Sequence, residues 1–298
     1  MRIRYYVEFL LIYSLTRGFY YLPHTLSLKM GEFLGEIFYA LSRRRRQIAL
    51  KNLEIAFGTT YSPSERSAIA RSACRNLGKS LIETIRLSKL DKTYLKTKVT
   101  LIGLENYLKA RDKGRGVIVY TGHFGNWELA AVALAAQGYF ATLVVRPLDN
   151  PLLDRWASSL RTRFGHTLLT SRKSLRDMMK VLKNKESLAI LIDQNTSKEA
   201  GVFVDFFGKP ACTTPVVALL ALKYEAPIVP MFIIRTGLDE HTLYIEKEVP
   251  LQRTGDIQRD IQLNTATITQ ILEDYIRRYP DQWFWVHNRW KTQPHPSS

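Results

Sequence analysis

The alternation of short apolar runs with helical stretches, which begins near residue 99, constrains the fold more than any other feature. The apolar runs read VTLIG, GVIVYT, ATLVV, LAILID, PIVPMFII and TLYIEKEVP. The stretches between them have helical composition and include WELAAVALAAQG, LLDRWASSLRTRFG, SLRDMMKVLKNK and TTPVVALLALKYE. Apolar strands separated by helices are typical of parallel sheets, whose two faces are both covered. The sequence therefore predicts an α/β domain with a largely parallel sheet flanked by helices.

The chain before this alternation has helical patterns and no β-rich run. Residues 62–65 read S-P-S-E, a capping box with proline at the first helical position, so a long helix is expected to begin there and end near Leu87. No linker rich in Gly, Ser or Pro follows. The simplest division is a helical, basic region at 1–60 and one α/β unit at 61–298.

The N-terminal stretch MRIRYYVEFLLIYSLTRGFYYLPHTLSL is rich in Tyr, Phe and Leu. Glu8 and Arg17 interrupt it and leave a charge-free run of eight residues, whereas a simple membrane span needs ~20 apolar residues. Glu8 and the lack of a small-x-small cleavage site also argue against a signal peptide. We predict membrane-associated helices that lie at the interface or tilt into it. The alternative is a buried N-terminal helix of a soluble protein.

The charge balance is strongly basic, with 43 Lys and Arg against 27 Asp and Glu and a net charge of +16. Such a surface attracts an anionic membrane, phosphorylated substrates, an acidic protein or nucleic acid. Arg43, Arg44, Arg45 and Arg46 follow the apolar segment. We predict that they contact an anionic membrane surface or an acidic partner. The alternative is a solvated helix face.

The stretch TGHFGNWELAAVALAA contains the strongest candidate for a reactive group. Gly122 and His123 follow a predicted strand, and Gly125 permits a tight turn before the helix that Asn126 is expected to cap. Ligands bind at the carboxyl ends of strands in open α/β sheets. From the first helical turn, Glu128 is expected to reach the imidazole of His123 and fix its tautomer. That pairing predicts His123 as a general base for a hydroxyl or water.

Two further strand ends carry polar side chains. Arg146 follows ATLVV, and Asp193 with Gln194 follows LAILI. Because parallel strands end at one edge of a sheet, these residues are expected to converge on His123. The alternative for Arg146 and Asp193 is an ordinary surface salt bridge.

Several other chemistries lack their sequence signatures. No G-x-S-x-G elbow and no G-x-G-x-x-G fingerprint is present, and Ala73 stands where a phosphate loop ending at Gly78 needs glycine. Cys74 and Cys212 have no metal-ligand spacing, so we predict packing roles for both, no disulfide and no metal site. With no nucleophile in the pattern, direct attack by a bound hydroxyl is the expected route.

The sequence resembles the bacterial lipid A biosynthesis acyltransferases and, more distantly, the glycerolipid acyltransferases with an H-x4-D motif. The resemblance spans nearly the whole chain. Its blocks are RRRRQIALKNLEIAFG, GHFGNWE, VVRPLDNPLLDRW, LAILIDQN, VDFFGKPACTTPVVALLAL and YPDQWFWVHNRWK. In the last block, which runs from Tyr279 to Lys291, we expect the tryptophans to pack on the sheet.

The resemblance implies a glycerolipid-acyltransferase-like fold and transfer of a fatty acyl chain from an acyl carrier protein thioester to a hydroxyl of a lipid A precursor. It gives His123 the role of base and Glu128 that of orienting it. Oxyanion donors would be backbone N–H groups after His123, such as those of Gly125 and Asn126, or Arg146. Asp193 and Gln194 would bind the acceptor headgroup. Apolar side chains near the site would line an acyl groove: Phe124, Trp127, Leu129.

The expected partners are acyl carrier protein, an anionic membrane surface and a phosphorylated glycolipid acceptor, and not nucleic acid. No cofactor is expected apart from the acyl donor, for which acyl-CoA remains open. The expected location is the inner membrane, with the catalytic domain on the cytoplasmic side. Three alternatives stay open at this point: another glycolipid or phospholipid acceptor, a thioesterase that activates water, and a non-catalytic nucleic-acid-binding protein.

Overall fold

The fold was analysed on a computed structural model, which describes residues 3–90, 92–170 and 174–294. The helices are α1 Ile3–Tyr21, α2 His24–Leu41, α3 Arg43–Phe57, α4 Pro63–Arg86, α5 Lys92–Lys98, α6 Leu104–Asp112, α7 Trp127–Ala136, α8 Pro151–Thr162, α9 Ser174–Lys183, α10 Val216–Tyr224 and α11 Ile257–Arg278. The strands are β1 Val99–Ile102, β2 Val117–Thr121, β3 Thr142–Val145, β4 Thr167–Thr170, β5 Ser187–Leu191, β6 Val202–Phe206, β7 Lys209–Thr213, β8 Ile228–Arg235 and β9 His241–Ile245. Short 3-10 helices occupy Leu87–Lys89 and Pro280–Gln282.

Seven strands form one sheet in the order β1-β9-β8-β2-β5-β3-β4. The five strands from β8 to β4 are mutually parallel, and β9 runs antiparallel to β8. The prediction of a largely parallel sheet flanked by helices is confirmed. In the centre, Thr121 of β2 pairs with Leu191 of β5, which places the ends of these two strands side by side. That adjacency positions the candidate site.

Both faces of the sheet are covered, as the apolar strands required. All eight residues of β8 are buried. On one face Ile118 packs in a core that includes Leu272 of α11. On the other face Val119 packs in a core that includes Val132 of α7. The sheet therefore fixes the start of α7, and with it the turn that precedes this helix.

The predicted capping box at the start of α4 is confirmed. The Ser62 side chain accepts the backbone N–H of Glu65, and the Glu65 carboxylate accepts the backbone N–H of Ser62. The helix ends at Arg86, one residue before the predicted end. It packs closely on α2, because a Cβ at Gly35 would overlap the backbone carbonyl of Cys74. The domain division at residue 60 stays a prediction.

The structure contains three strands that the sequence patterns did not predict. Strand β4 is short and partly exposed. Strands β6 and β7 form an antiparallel hairpin outside the main sheet. Its turn contains Phe207 and Gly208, both with positive φ. The strand predicted over the run TLYIEKEVP is shorter than expected, because β9 ends at Ile245.

The N-terminal helices expose much of their apolar surface. Among the described residues, no helix combines the length and the apolar composition needed to cross a membrane. Thr16 is the one buried residue of the described helix α1, so the alternative of a buried N-terminal helix is wrong. The apolar side chains of α1 and α2 with the highest exposed fractions are Ile3, Leu10, Leu11, Leu15, Tyr21, Phe33 and Leu41. Association of these helices with a membrane stays a prediction.

Candidate active site

The turn between β2 and α7 carries His123. Gly125 has a φ of +55°, and a Cβ there would overlap the carbonyl oxygen of Ile233, so glycine is required. The Asn126 side chain accepts the backbone N–H of Leu129 at 3.1 Å and caps α7. The predicted strand, turn and helix cap are confirmed.

The imidazole of His123 pairs with Asp193. Its Nδ1 donates to Oδ1 of Asp193 at 2.8 Å, and its backbone N–H donates to Oδ2 at 2.8 Å. The His123 side chain is 20% exposed and that of Asp193 is 2% exposed. A proton held on Nδ1 leaves Nε2 as the basic nitrogen of the neutral ring.

The expected pairing of His123 with Glu128 is not the one in the structure. Glu128 instead accepts two hydrogen bonds from Arg161 of α8, from Nε at 2.8 Å and from Nη2 at 2.5 Å. The physical reason is the strand order, because β5 lies beside β2 and brings Asp193 directly to Nδ1. Glu128 still acts on His123 through space, since its charge contributes to raising the pKa of the imidazole.

His123 and Asp193 each stabilise the charged form of the other. Burial works to lower the pKa of His123, but the charge and hydrogen bond of Asp193, with the charge of Glu128, outweigh it and raise the pKa above its usual value. Burial works to raise the pKa of Asp193, but the charge of His123, hydrogen bonds from His123 and a hydrogen bond from Trp283 lower it to about 2. Asp193 is therefore ionised wherever the imidazole titrates.

Of the other two strand-end residues, Gln194 contacts this pair and Arg146 lies at the end of a nearby strand. Gln194 is exposed, and its amide nitrogen lies 3.3 Å from Nε2 of His123. Arg146 directly follows β3, which is next to β5 in the sheet. Its side chain is exposed and, among the described residues, makes no hydrogen bond or ion pair. The predicted convergence of Asp193 and Gln194 on His123 is confirmed, and Arg146 lies at the same sheet edge.

Two of the backbone N–H groups that follow His123 donate to carbonyl groups inside the protein. The N–H of Phe124 donates to Gly122 O at 2.8 Å, and that of Gly125 donates to Gln282 O at 2.8 Å. The Asn126 side chain is buried and donates to Glu83 at 2.8 Å. Gly125 and Asn126 therefore shape the turn in this structure, and among the predicted donors Arg146 has an exposed side chain.

The C-terminal loop after α11 completes the site. The indole N–H of Trp283 donates to Oδ2 of Asp193 at 2.8 Å, and the backbone N–H of Phe284 donates to His123 O at 3.1 Å. Trp285 and Trp290 are buried in the core, which confirms their predicted packing role. Trp283 also belongs to the site, which sequence reasoning missed. Its signal was the last block of the family resemblance.

A narrow crevice, open to solvent, runs between α4 and the C-terminal loop and reaches His123. Trp127 lines it, but Phe124 and Leu129 are buried in the core, so the predicted groove contains one of its three expected residues. Cys74 also lines it, and burial raises the pKa of its thiol to about 11. Cys74 and Cys212 are buried free thiols, as predicted.

The four arginines of α3 have different environments. Arg45 donates to Val286 O at 3.1 Å, and Arg46 donates to the carbonyls of Tyr39 and Ala40 in the last turn of α2. Arg43 and Arg44 are exposed and, within the described part of the chain, make no ion pair. Arg43 and Arg44 are therefore available to an external anion.

No group of three or more His, Cys, Asp or Glu side chains among the described residues is arranged to hold a metal ion.

Comparison of the amino-acid sequence with known proteins identifies a family. The sequence profile described as bacterial lipid A biosynthesis acyltransferase matches residues 1–292. The chain is 28% identical to the lipid A biosynthesis palmitoleoyltransferase of Escherichia coli (strain K12), covering 92% of this chain and 87% of the relative. It is 29% identical to the lauroyltransferase of the same strain, with 92% and 88% covered. A Haemophilus influenzae lipid A biosynthesis acyltransferase is 30% identical, with 94% and 89% covered.

The chain therefore belongs to the bacterial lipid A biosynthesis acyltransferase family, and it is an acyltransferase.

Proposed function

We propose that this acyltransferase moves a fatty acyl chain from an acyl carrier protein thioester to a hydroxyl group of a lipid A precursor. The single observation that carries the mechanism is the 2.8 Å hydrogen bond from Nδ1 of His123 to Asp193. It holds the tautomer in which Nε2 is a base. Nε2 faces Gln194, which is exposed, so an entering hydroxyl has access to it.

The proposed reaction has one transfer step and a balanced proton path. The acceptor hydroxyl gives its proton to Nε2 of His123 as its oxygen attacks the thioester carbonyl carbon. The carbon–sulfur bond then breaks, and the imidazolium returns the proton to the departing thiolate. Asp193 stabilises the imidazolium, because its carboxylate stays ionised with a pKa of about 2.

Neighbouring groups complete the proposed mechanism. Gln194 orients the acceptor oxygen, and Arg146 at the adjacent strand end stabilises the oxyanion. Glu128, fixed by Arg161, adds negative charge near the imidazolium. A positioned base typically contributes ~10²–10⁴-fold, so binding and oxyanion stabilisation supply the rest of the acceleration.

We propose a location at the cytoplasmic face of the inner membrane, and the surface of the protein supports contact with a membrane. Helices α1 and α2 expose Leu11, Leu15 and Phe33, which are 61%, 64% and 64% exposed. Insertion of these helices at the membrane interface would place the three side chains at the acyl boundary of the bilayer. Arg43 and Arg44 would contact anionic headgroups or the acidic acyl carrier protein. The net charge of +16 favours both partners.

The test is acyl transfer from radiolabelled acyl carrier protein, with and without a Kdo-bearing lipid A precursor. We expect label in the lipid with wild type and a loss of at least ~10²-fold with His123→Ala. His24→Ala is the matched control, because His24 also lies near an aspartate and its side chain is 23% exposed. It should retain the wild-type rate. Release of free fatty acid at a rate unaffected by the acceptor would contradict the proposal and indicate a thioesterase.

A further inference from the structure

A buried ion pair lies directly behind the turn that carries His123. Glu83 of α4 and Arg235 at the end of β8 are 4% and 8% exposed. Arg235 donates through Nη1 to Oε1 at 2.6 Å and through Nη2 to Oε2 at 2.7 Å. The pair is bidentate, so it fixes the orientation of both side chains as well as their separation.

Asn126 links this pair to the turn. Its Oδ1 caps α7, and its Nδ2 donates to Oε2 of Glu83 at 2.8 Å. One side chain therefore connects the start of α7, the turn and the buried carboxylate. A displacement of Glu83 would be transmitted to the residue three positions after His123.

Gln282 makes a second link, on the Arg235 side. The backbone N–H of Arg235 donates to Oε1 of Gln282 at 2.8 Å, and Nε2 of Gln282 donates to Arg235 O at 3.0 Å. The Gln282 carbonyl in turn accepts the N–H of Gly125 at 2.8 Å. The turn is thus held on one side through Asn126 by the carboxylate of Glu83, and on the other through Gln282 by the backbone of Arg235.

The energetics of burial argue that this pair does more than stabilise the fold. Taking two charges out of water costs several kcal/mol per ion, which the attraction between them roughly offsets. Burial works to raise the pKa of Glu83, but neighbouring His241 and Arg235 lower it to about 2, so the carboxylate is a permanent acceptor. A pair that adds little net stability still fixes the positions of the groups bonded to it, and Asn126 is one of them.

We propose that Glu83 and Arg235 are positioning residues that act through Asn126 and Gln282 to hold the His123 turn in its reactive geometry. The inference rests on the proposed function, because it needs His123 as the base. Neither residue contacts the substrate in this account. A shift of about 1 Å at a reacting group is enough to lower a rate ~10²-fold.

Asn126→Ser tests the link with little change to the helix. Serine is also a favoured N-cap, so α7 keeps its cap, but the donor to Glu83 is lost. We expect kcat to fall at least ~10-fold, with the KM for the acyl donor close to wild type and a Tm lowered no more than in the control variant below. A variant that merely weakened the fold would lower the Tm and leave the kcat of the folded enzyme unchanged.

Exchanging the amide of Asn126 and the carboxylate of Glu83 tests the same link by restoring activity. Asn126→Asp alone places a second carboxylate against that of Glu83, and the two repel each other. Glu83→Gln alone leaves Arg235 without its charged partner. We expect each single variant to lower kcat. In the double variant the new amide at position 83 would donate to the new carboxylate at position 126, and the buried negative charge is kept. The amide oxygen would still accept from Nη1 of Arg235, but Nη2 would lose its acceptor at position 83, so the recovery is expected to be partial. We expect the double variant to recover kcat at least ~5-fold over either single variant.

Glu273→Gln is the matched control. Glu273 is also a buried carboxylate, 3% exposed, that pairs with Arg277 and accepts the N–H of Phe207, but it lies on α11 outside the site. We expect a lower Tm and an unchanged kcat.

The outcomes separate the two proposals. Wild-type kcat in Asn126→Ser, or a double variant no better than the single ones, overturns the positioning role. If His123→Ala transfers as fast as wild type, the proposed function itself fails and the positioning inference falls with it.

Discussion

Trp283 and His123 donate to the same oxygen of one carboxylate. The Trp283 indole N–H and the His123 backbone N–H each reach Oδ2 of Asp193 at 2.8 Å, while Oδ1 accepts the imidazole Nδ1. The carboxylate is thereby fixed in rotation, so the imidazole has one orientation. A residue 160 positions after His123 in the chain is part of the geometry of the base.

Trp283→Phe is expected to lower kcat about 10-fold. It keeps most of the buried aromatic surface but leaves Oδ2 with one donor fewer, which costs about 1–3 kcal/mol for a buried polar group. Steady-state transfer and thermal unfolding measure both effects. Trp290→Phe is the control, because its buried indole N–H has no partner among the described residues. Equal effects of the two substitutions would contradict the account.

The rate of transfer is expected to rise with pH through a midpoint above 6.5. The base must be neutral, and Asp193 raises the pKa of His123 above that usual value. Asp193→Asn removes the charge, so the midpoint should move to lower pH. The plateau rate should fall by roughly 10²–10⁴-fold, since the imidazolium loses its counter-charge. A midpoint that stays in place would show that Asp193 does not act on the titrating group.

Glu128→Gln should shift the same midpoint in the same direction, but by less. Glu128 acts on His123 through space, whereas Asp193 is hydrogen bonded to it. The substitution also leaves Arg161 without a charged partner. Comparing pH profiles of the two variants measures the difference. A larger shift for Glu128→Gln than for Asp193→Asn would restore the pairing that the H-x4-E spacing first suggested.

Replacing Leu10, Leu11 and Leu15 by serine is expected to weaken binding to anionic lipid vesicles. These side chains are 59%, 61% and 64% exposed on α1, and burying a leucine is worth about 1.5–3 kcal/mol. Vesicle sedimentation should show at least ~10-fold weaker binding. Ile257→Ser is the control, because Ile257 is 56% exposed but lies on α11. Unchanged binding of the triple variant would exclude α1 as the membrane contact.

Much of this site followed from local patterns. The turn after β2, the Asn126 cap and the strand ends before Arg146 and Asp193 were predictable, because each depends on residues close together in the chain. Parallel strands then required these ends to share one edge of the sheet.

The partner of His123 was not predictable in the same way. The spacing between His123 and Glu128 gives a distance along the chain, whereas the hydrogen bond depends on β5 lying beside β2. Strand order arises from packing of the whole sheet, and no local pattern encodes it. Trp283 and the Glu83–Arg235 pair were missed for the same reason, since they are joined to the turn only in the folded state. The hairpin β6–β7 was missed because Pro210 lies in the pattern of its second strand.

The most direct test of the central claim is ¹⁵N NMR of the His123 ring across pH in the full-length enzyme. The account predicts that the neutral imidazole carries its proton on Nδ1, with a titration midpoint above 6.5 that moves downward in Asp193→Asn. A neutral ring protonated on Nε2 would contradict it, because the nitrogen facing the acceptor hydroxyl would then be unable to take the proton.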